Sequence, residues 1–246
     1  MDKLLYVAMA GAEHIDRAQT MHANNLANVG TTGFRADLAQ ARAVQVIGDG
    51  YEGRIYALTE RPSSDYSPGP LVDTGRPLDV AIEGPGFLAV QTASGEEAYT
   101  RAGDLQLDSL GGLRTGQGHR VLGDGGPIAM PQYEQMFIGE DGTITVQPLG
   151  QGTEALVQLD RLKLVNPEAG QLTKGEDGLF HRSSGEELKA DPYVRVVSGF
   201  VEQSNVNAVH ELTAVLELAR QFELEVRMMR TAEENSEAAS QLLQVN

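Results

Sequence analysis

The sequence predicts an α+β protein: long helices at the N- and C-terminal ends, paired with each other as an α-helical coiled coil, flank a middle built mainly of strands. Three observations predict it. Apolar residues recur at steps of three and four along the opening and closing stretches. Between them the pattern changes to alternation interrupted by glycine turns. Composition agrees with a turn-rich β middle: 28 glycines, no tryptophan and 5% aromatics in 246 residues.

The first helix runs from Asp2 to about Asn28. Leu5, Met9, Ala12, Ile15, Gln19, His22 and Leu26 form one stripe, and Glu13 supports it with Arg17 one turn on. Asn28 and Gly30 tolerate a left-handed cap and are expected to end it. The residues from Phe34 to Pro70 start small and apolar and end in "ERPSSDYSPGP", the composition of a linker or extended arm. The strands follow. Leu78, Val80 and Ile82 alternate up to Gly84-Pro85-Gly86; Leu105 and Leu107 lead to a turn at Gly111-Gly112; Asp141-Gly142 marks a hairpin, with Ile144 and Val146 on one face. "RLKLVN" and "YVRVVSGFVEQ" supply further strands. The last helix runs from about Val206 to Leu243, capped by Asn205 or Asn207. Its stripe is Val209, Leu212, Leu216, Ala219, Phe222, Val226 and Met229.

Each stripe is narrow and nearly heptad. A long helix with one thin apolar seam needs a partner helix, and the other end of the chain is the nearest one. The plainer alternative packs both helices on the β middle. The predicted organisation is therefore a helical part made of 1–33 and 205–246, an arm over 34–70, and a β domain over 71–204.

Charge and motif content narrow the function. The net charge is −16, from 19 basic and 35 acidic residues. Without a Lys/Arg cluster to neutralise phosphates, nucleic acid and anionic membrane are poor partners. The chain has no cysteine, which excludes disulfides and thiolate chemistry. No apolar run reaches the length of a membrane span, so membrane insertion is not expected. The opening "MDKLLYVAMAGAEHIDRAQ" lacks a basic leader and continues into a polar helix, so it reads as mature protein. The glycines of "GQGHRVLGDGG" lie among strands and fit hairpin turns better than a dinucleotide site. The five histidines are scattered without metal-ligand spacing. The sequence carries no catalytic, cofactor or metal motif, and the expectation is a non-enzyme.

Three stretches together resemble the flagellar basal-body rod and hook proteins: "NNLANVGTTGF" (Asn24–Phe34), "RPLDVAIEGPGFLAVQT" continuing through "YTRAG" to Gly123, and "GFVEQSNVNAVHELTAVLELARQFELEVRMM" (Gly199–Met229). The opening and the ending "RTAEENSEAASQLLQVN" are most like proximal-rod members. Distal-rod members are the alternative within the family. Outside it, the alternatives are a secreted β-domain protein with helical oligomerisation ends and a β-fold hydrolase. The resemblance implies a structural subunit that stacks helically with other rod proteins and with itself, its helices inside and its β domain outside. It also implies passage through the flagellar type III export apparatus to the periplasm without a cleaved signal.

On this reading the assembly seams are Leu5, Met9, Ala12, Ile15 and Leu26 on the first helix, and Leu212, Leu216, Ala219, Phe222, Val226 and Met229 on the last. The family-motif residues are Asn24, Asn25, Asn28, Gly33, Phe34, Tyr99, Arg101, Gly103, Ser204 and Asn205. The asparagine amides are expected to bond backbones at subunit contacts, Gly30 and Gly33 to turn the chain out of the helix, and Phe34 to anchor the exit in an apolar pocket. For Arg101 two readings stand side by side: a bridge to a carboxylate, or a solvated side chain.

Overall fold

The computed structural model describes the backbone of residues 2–38, 41–45, 55–59, 63–150, 156–168 and 170–244, and the side chains of these except 2–6, 41–45, 55–59, 239 and 242–244. The chain forms two compact units. One comprises Met1–Asn28, Asp37–Asp65 and Val206–Asn246; the other comprises Val29–Ala36 and Tyr66–Asn205.

In the first unit, α1 (Asp2–Ala27) and α2 (Ala208–Gln244) pack together. Asn207 caps α2: its Oδ1 accepts from the backbone N–H groups of Val209 and His210 at 3.1 and 3.2 Å. The helices run antiparallel, because Gly11 faces Glu225 while His22, further along α1, pairs with Glu211 near the start of α2. The inner face of α1 is Ala8, Ala12, Ile15 and Ala18, small side chains that permit close approach. The expected left-handed cap at Asn28 or Gly30 is not formed; the first residue of positive φ is Gly33, at 68°. Asn28 instead turns its amide back onto the Asn24 carbonyl at 3.0 Å, which closes the helix without a left-handed residue.

The expected arm is divided. Residues 37–65 join the helical unit as two short antiparallel pairs: β1 (Asp37–Leu38) with β4 (Ser63–Ser64), and β2 (Ala41–Gln45) with β3 (Ile55–Thr59). Residues 34–36 and 66–70 belong to the β unit. Arg61 and Pro62, at the start of the stretch read as a Pro/Ser linker, lie outside the described residues.

The β unit contains β5 (Leu71–Asp73), β6 (Val80–Glu83), β7 (Phe87–Gln91), β8 (Glu97–Thr100), β9 (Leu105–Leu107), β10 (Leu113–Thr115), β11 (Arg120–Gly123), β12 (Gly126–Pro127), β13 (Tyr133–Ile138), β14 (Thr143–Pro148), β15 (Val157–Arg161), β16 (Leu164–Val165), β17 (Leu172–Lys174), β18 (Phe180–Arg182), β19 (Arg195–Ser198) and β20 (Phe200–Glu202). Its main antiparallel sheet runs β17-β18-β8-β7-β11-β10-β9, with β12 on β11 and β16 on β7. The Gly111-Gly112 turn joins β9 to β10, and Asp141-Gly142 joins β13 to β14, as the turn chemistry predicts.

Both faces of this sheet are covered. Along β7, Leu88 and Val90 enter a large core with Leu105, Leu113, Ile144 and Leu164, while Phe87 and Ala89 enter a second core with Tyr99, Val165 and Phe180. Period-two geometry sends successive side chains to opposite faces, so a strand covered twice must be apolar at every position. That is why "FLAV" reads as a run rather than an alternation.

Leu105 is wholly buried in the larger core, whereas Leu110 at the neighbouring turn is 90% exposed. Leu105→Ala is expected to lower unfolding stability by about 2–5 kcal/mol in urea titration, and Leu110→Ala by no more than about 0.5 kcal/mol.

Candidate functional site: a buried tie between three motifs

Glu202, the last residue of β20, is 1% exposed. Its Oε1 lies 2.6 Å from Nη1 of Arg35, also 1% exposed, and accepts the backbone N–H of Gly69 at 2.8 Å. Its Oε2 lies 3.3 Å from Nη1 of Arg101. Its backbone carbonyl accepts the N–H of Gly33 at 2.7 Å. One residue therefore joins the segment after α1, the central "YTRAG" stretch and the segment before α2, all within the β unit.

The sequence left Arg101 between two readings, and the structure decides for the bridge. Arg101 is buried, donates to the carbonyls of Ile82 (3.1 Å) and Gly84, and stands 5.6 Å from the centre of the Phe87 ring. Burial lowers its pKa to about 10; Glu202 opposes that fall and Arg35 adds to it. Arg101 thus remains a cation at neutral pH.

Three glycines let backbones meet. At Gly33, φ is 68° and a Cβ would stand 2.2 Å from the Ala102 nitrogen. At Gly103 a Cβ would stand 1.7 Å from the Val80 carbonyl oxygen, and at Gly69 2.0 Å from that of Gln203. None of these approaches leaves room for a side chain. Polar side chains close the remaining gaps. Asn205 Oδ1 accepts from Ala36 N at 2.7 Å, and its Nδ2 donates to the Ser67 carbonyl at 3.0 Å. Ser204 is buried beside it. Phe34 is buried, with the Lys174 ammonium 3.6 Å from its ring centre, so its surroundings are cationic as well as apolar. Tyr99 is buried, its hydroxyl accepts from Leu188 N at 2.9 Å, and burial raises its pKa.

In the helical unit, Asn25 is buried and its amide makes two bonds of 2.9 Å with the backbone of Asp37. This corrects, for Asn25, the expectation of an amide bonding backbones at subunit contacts: its amide is engaged with a backbone of its own chain. Asn24 is exposed and Asn28 partly so.

Of the seam residues, Ala12 and Ile15 are buried; Leu26, Ala219, Val226 and Met229 are partly buried; Met9, Leu212, Leu216 and Phe222 are exposed. The side chain of Leu5 lies outside the described residues. On α2 the inward face carries Glu211, Val215 and Leu218, whereas Leu212 and Leu216 are 51% and 56% exposed. Sequence reasoning singled out neither Glu202 nor Arg35 as a site residue. The available signal was their position: Arg35 directly follows Phe34, and Glu202 ends the apolar "GFV" run two residues before Ser204.

Among the described residues no group of three or more His, Cys, Asp or Glu is placed to hold a metal ion. No described helix is long and apolar enough to cross a membrane. The buried charges face one another rather than an open cleft, so this arrangement can join chain segments. Glu202→Gln leaves two buried guanidiniums without their anion and is expected to cost about 3–5 kcal/mol in chemical denaturation. Gly33→Ala is expected to lower the melting temperature by more than about 4 °C, because it adds both a strained φ and a backbone clash.

Three family signatures match in order along the chain: "Flagella basal body rod protein" at residues 5–35, "Flagellar hook protein FlgE/F/G D1 domain" at 81–146, and "Flagellar basal body rod FlgEFG protein C-terminal" at 197–242. The chain is 41% identical to flagellar basal-body rod protein FlgF of Escherichia coli and 40% identical to that of Salmonella typhimurium, each alignment covering the whole of both chains. It is 32% identical to flagellar basal-body rod protein FlgG of Buchnera aphidicola, over 97% of this chain and 98% of that one. Arg35, Arg101 and Glu202 lie one in each of the three matched regions, and the chain belongs to the flagellar basal-body rod protein family.

Proposed function

We propose that the chain is a structural subunit of the proximal part of the flagellar rod, without enzymatic activity. The observation that carries this reading is the two-sided character of α2. One face turns toward α1. Val209, Leu212, Leu216, Leu224 and Met228 are exposed on other sides, and Val7 and Met9 are exposed on α1. Apolar side chains repeated along a helix and left in water mark a surface meant for another protein.

The antiparallel helix pair is the half-built element of a coiled-coil layer, completed by helices of neighbouring copies and of other rod proteins, including distal-rod subunits. The β unit, with its doubly covered sheet, serves as a rigid lateral spacer. The site of action is the rod in the periplasm, reached through the flagellar export apparatus. The resemblance to FlgG, at lower identity than to FlgF, supports the distal rod as the second reading. Electron microscopy of basal bodies from a deletion strain separates the two by where the rod stops.

Leu216→Asp or Phe222→Asp is expected to reduce swimming to the level of the deletion strain, because a buried unpaired carboxylate costs several kcal/mol at each contact. The purified variants keep the melting temperature of the β unit. A motile strain carrying either change would count against these faces as assembly surfaces.

A further inference from the structure

The tie around Glu202 is not electrically closed. Two guanidiniums, Arg35 and Arg101, face one carboxylate, so among the described residues one positive charge is left without a counterion where side-chain exposure is between 1% and 4%. Its hydrogen bonding is also incomplete. Nε, Nη1 and Nη2 of Arg35 are all buried and, among the described residues, none has a hydrogen-bond partner; Nη1 approaches Glu202 Oε1 as an ion pair, out of line for a hydrogen bond. Nε of Arg101 is likewise unpartnered, its Nη atoms being engaged by the carbonyls of Ile82 and Gly84. Oε2 of Glu202 is also buried without a hydrogen-bond partner, but the unpartnered donors of Arg35 and Arg101 outnumber it, and buried donors in excess call for a further acceptor.

We infer that the β unit binds a small inorganic anion of halide size against the unpartnered edge of Arg35, within the Arg35–Glu202–Arg101 cluster. Water could accept the free N–H groups but would leave the charge uncompensated, whereas an anion meets both demands. The backbones pressed together at Gly33, Gly69 and Gly103 crowd the neighbourhood and favour a monoatomic ion over an organic one. The anion acts as a further fastener of the segments that Glu202 joins, and it stabilises the folded state in proportion to its occupancy.

The test is thermal unfolding of the full chain at constant ionic strength, with gluconate replaced stepwise by chloride. The melting temperature of the β unit is expected to rise by about 3 °C or more as chloride saturates the site. Arg35→Met, checked for folding by circular dichroism, is expected to lose that rise while keeping the response to total salt. Independently, bromide-soaked crystals of the unaltered chain are expected to give an anomalous peak within hydrogen-bond distance of Arg35 Nε or Nη2. A chloride-independent melting temperature, the same rise in a folded Arg35→Met chain, or ordered water without anomalous signal at Arg35 would overturn the inference.

Discussion

Three distant segments of the β unit converge on one buried carboxylate. Glu202 can be taken out of water only if cations and donors arrive with it, and those come from Arg35, Gly69 and Arg101. None is its neighbour in sequence. The burial of this single charge is thus conditional on bringing the segment that follows α1, the "YTRAG" stretch and the segment that precedes α2 into one place. An ion cluster of this kind contributes little net stability over an apolar replacement. Its effect is to penalise any packing in which one of these segments is missing.

The glycines and asparagines of the motifs follow from that constraint. Once Arg101 must reach Glu202, the backbone at Ala102 and Gly103 lies against Gly33 on one side and Val80 on the other, and only residues without a Cβ fit. Backbone groups brought into a dry place need partners. Asn205 supplies them for Ala36 and Ser67 within the β unit, and Asn25 does the same for Asp37 within the helical unit. What looks in the sequence like a polar, flexible stretch is a set of rigid fittings.

The helices present the opposite case. Their pairing is closed by small residues on α1, and the His22–Glu211 and Gly11–Glu225 contacts set its direction. Alanine and glycine allow close approach but bury little apolar area, so the pair leaves much of α2 uncovered. A helix with apolar residues on more than one side is suited to a layer with several neighbours rather than to a two-helix hairpin.

How much of this was legible varies by element. Helix and strand positions were legible because periodicity is local: the 3.6 and 2.0 repeats are written within a few residues. The hairpins at Gly111-Gly112 and Asp141-Gly142 were legible for the same reason. The pairing of 37–38 with 63–64 was not, since two-residue strands carry no period of their own. The inner face of α1 was legible in part: Ala12 and Ile15 lie on the predicted stripe, whereas Ala8 and Ala18, buried on the same face, count for little on a hydropathy scale. By itself the sequence determined the α+β order of elements, the turns and the family. Only the tertiary structure decided that Arg101 is buried, that Glu202 is its anion, that Gly33 rather than Gly30 makes the left-handed turn, and that Leu212 and Leu216 face away from α1. Each of those outcomes depends on which distant backbone or side chain comes to stand opposite, and a local repeat holds no information about that.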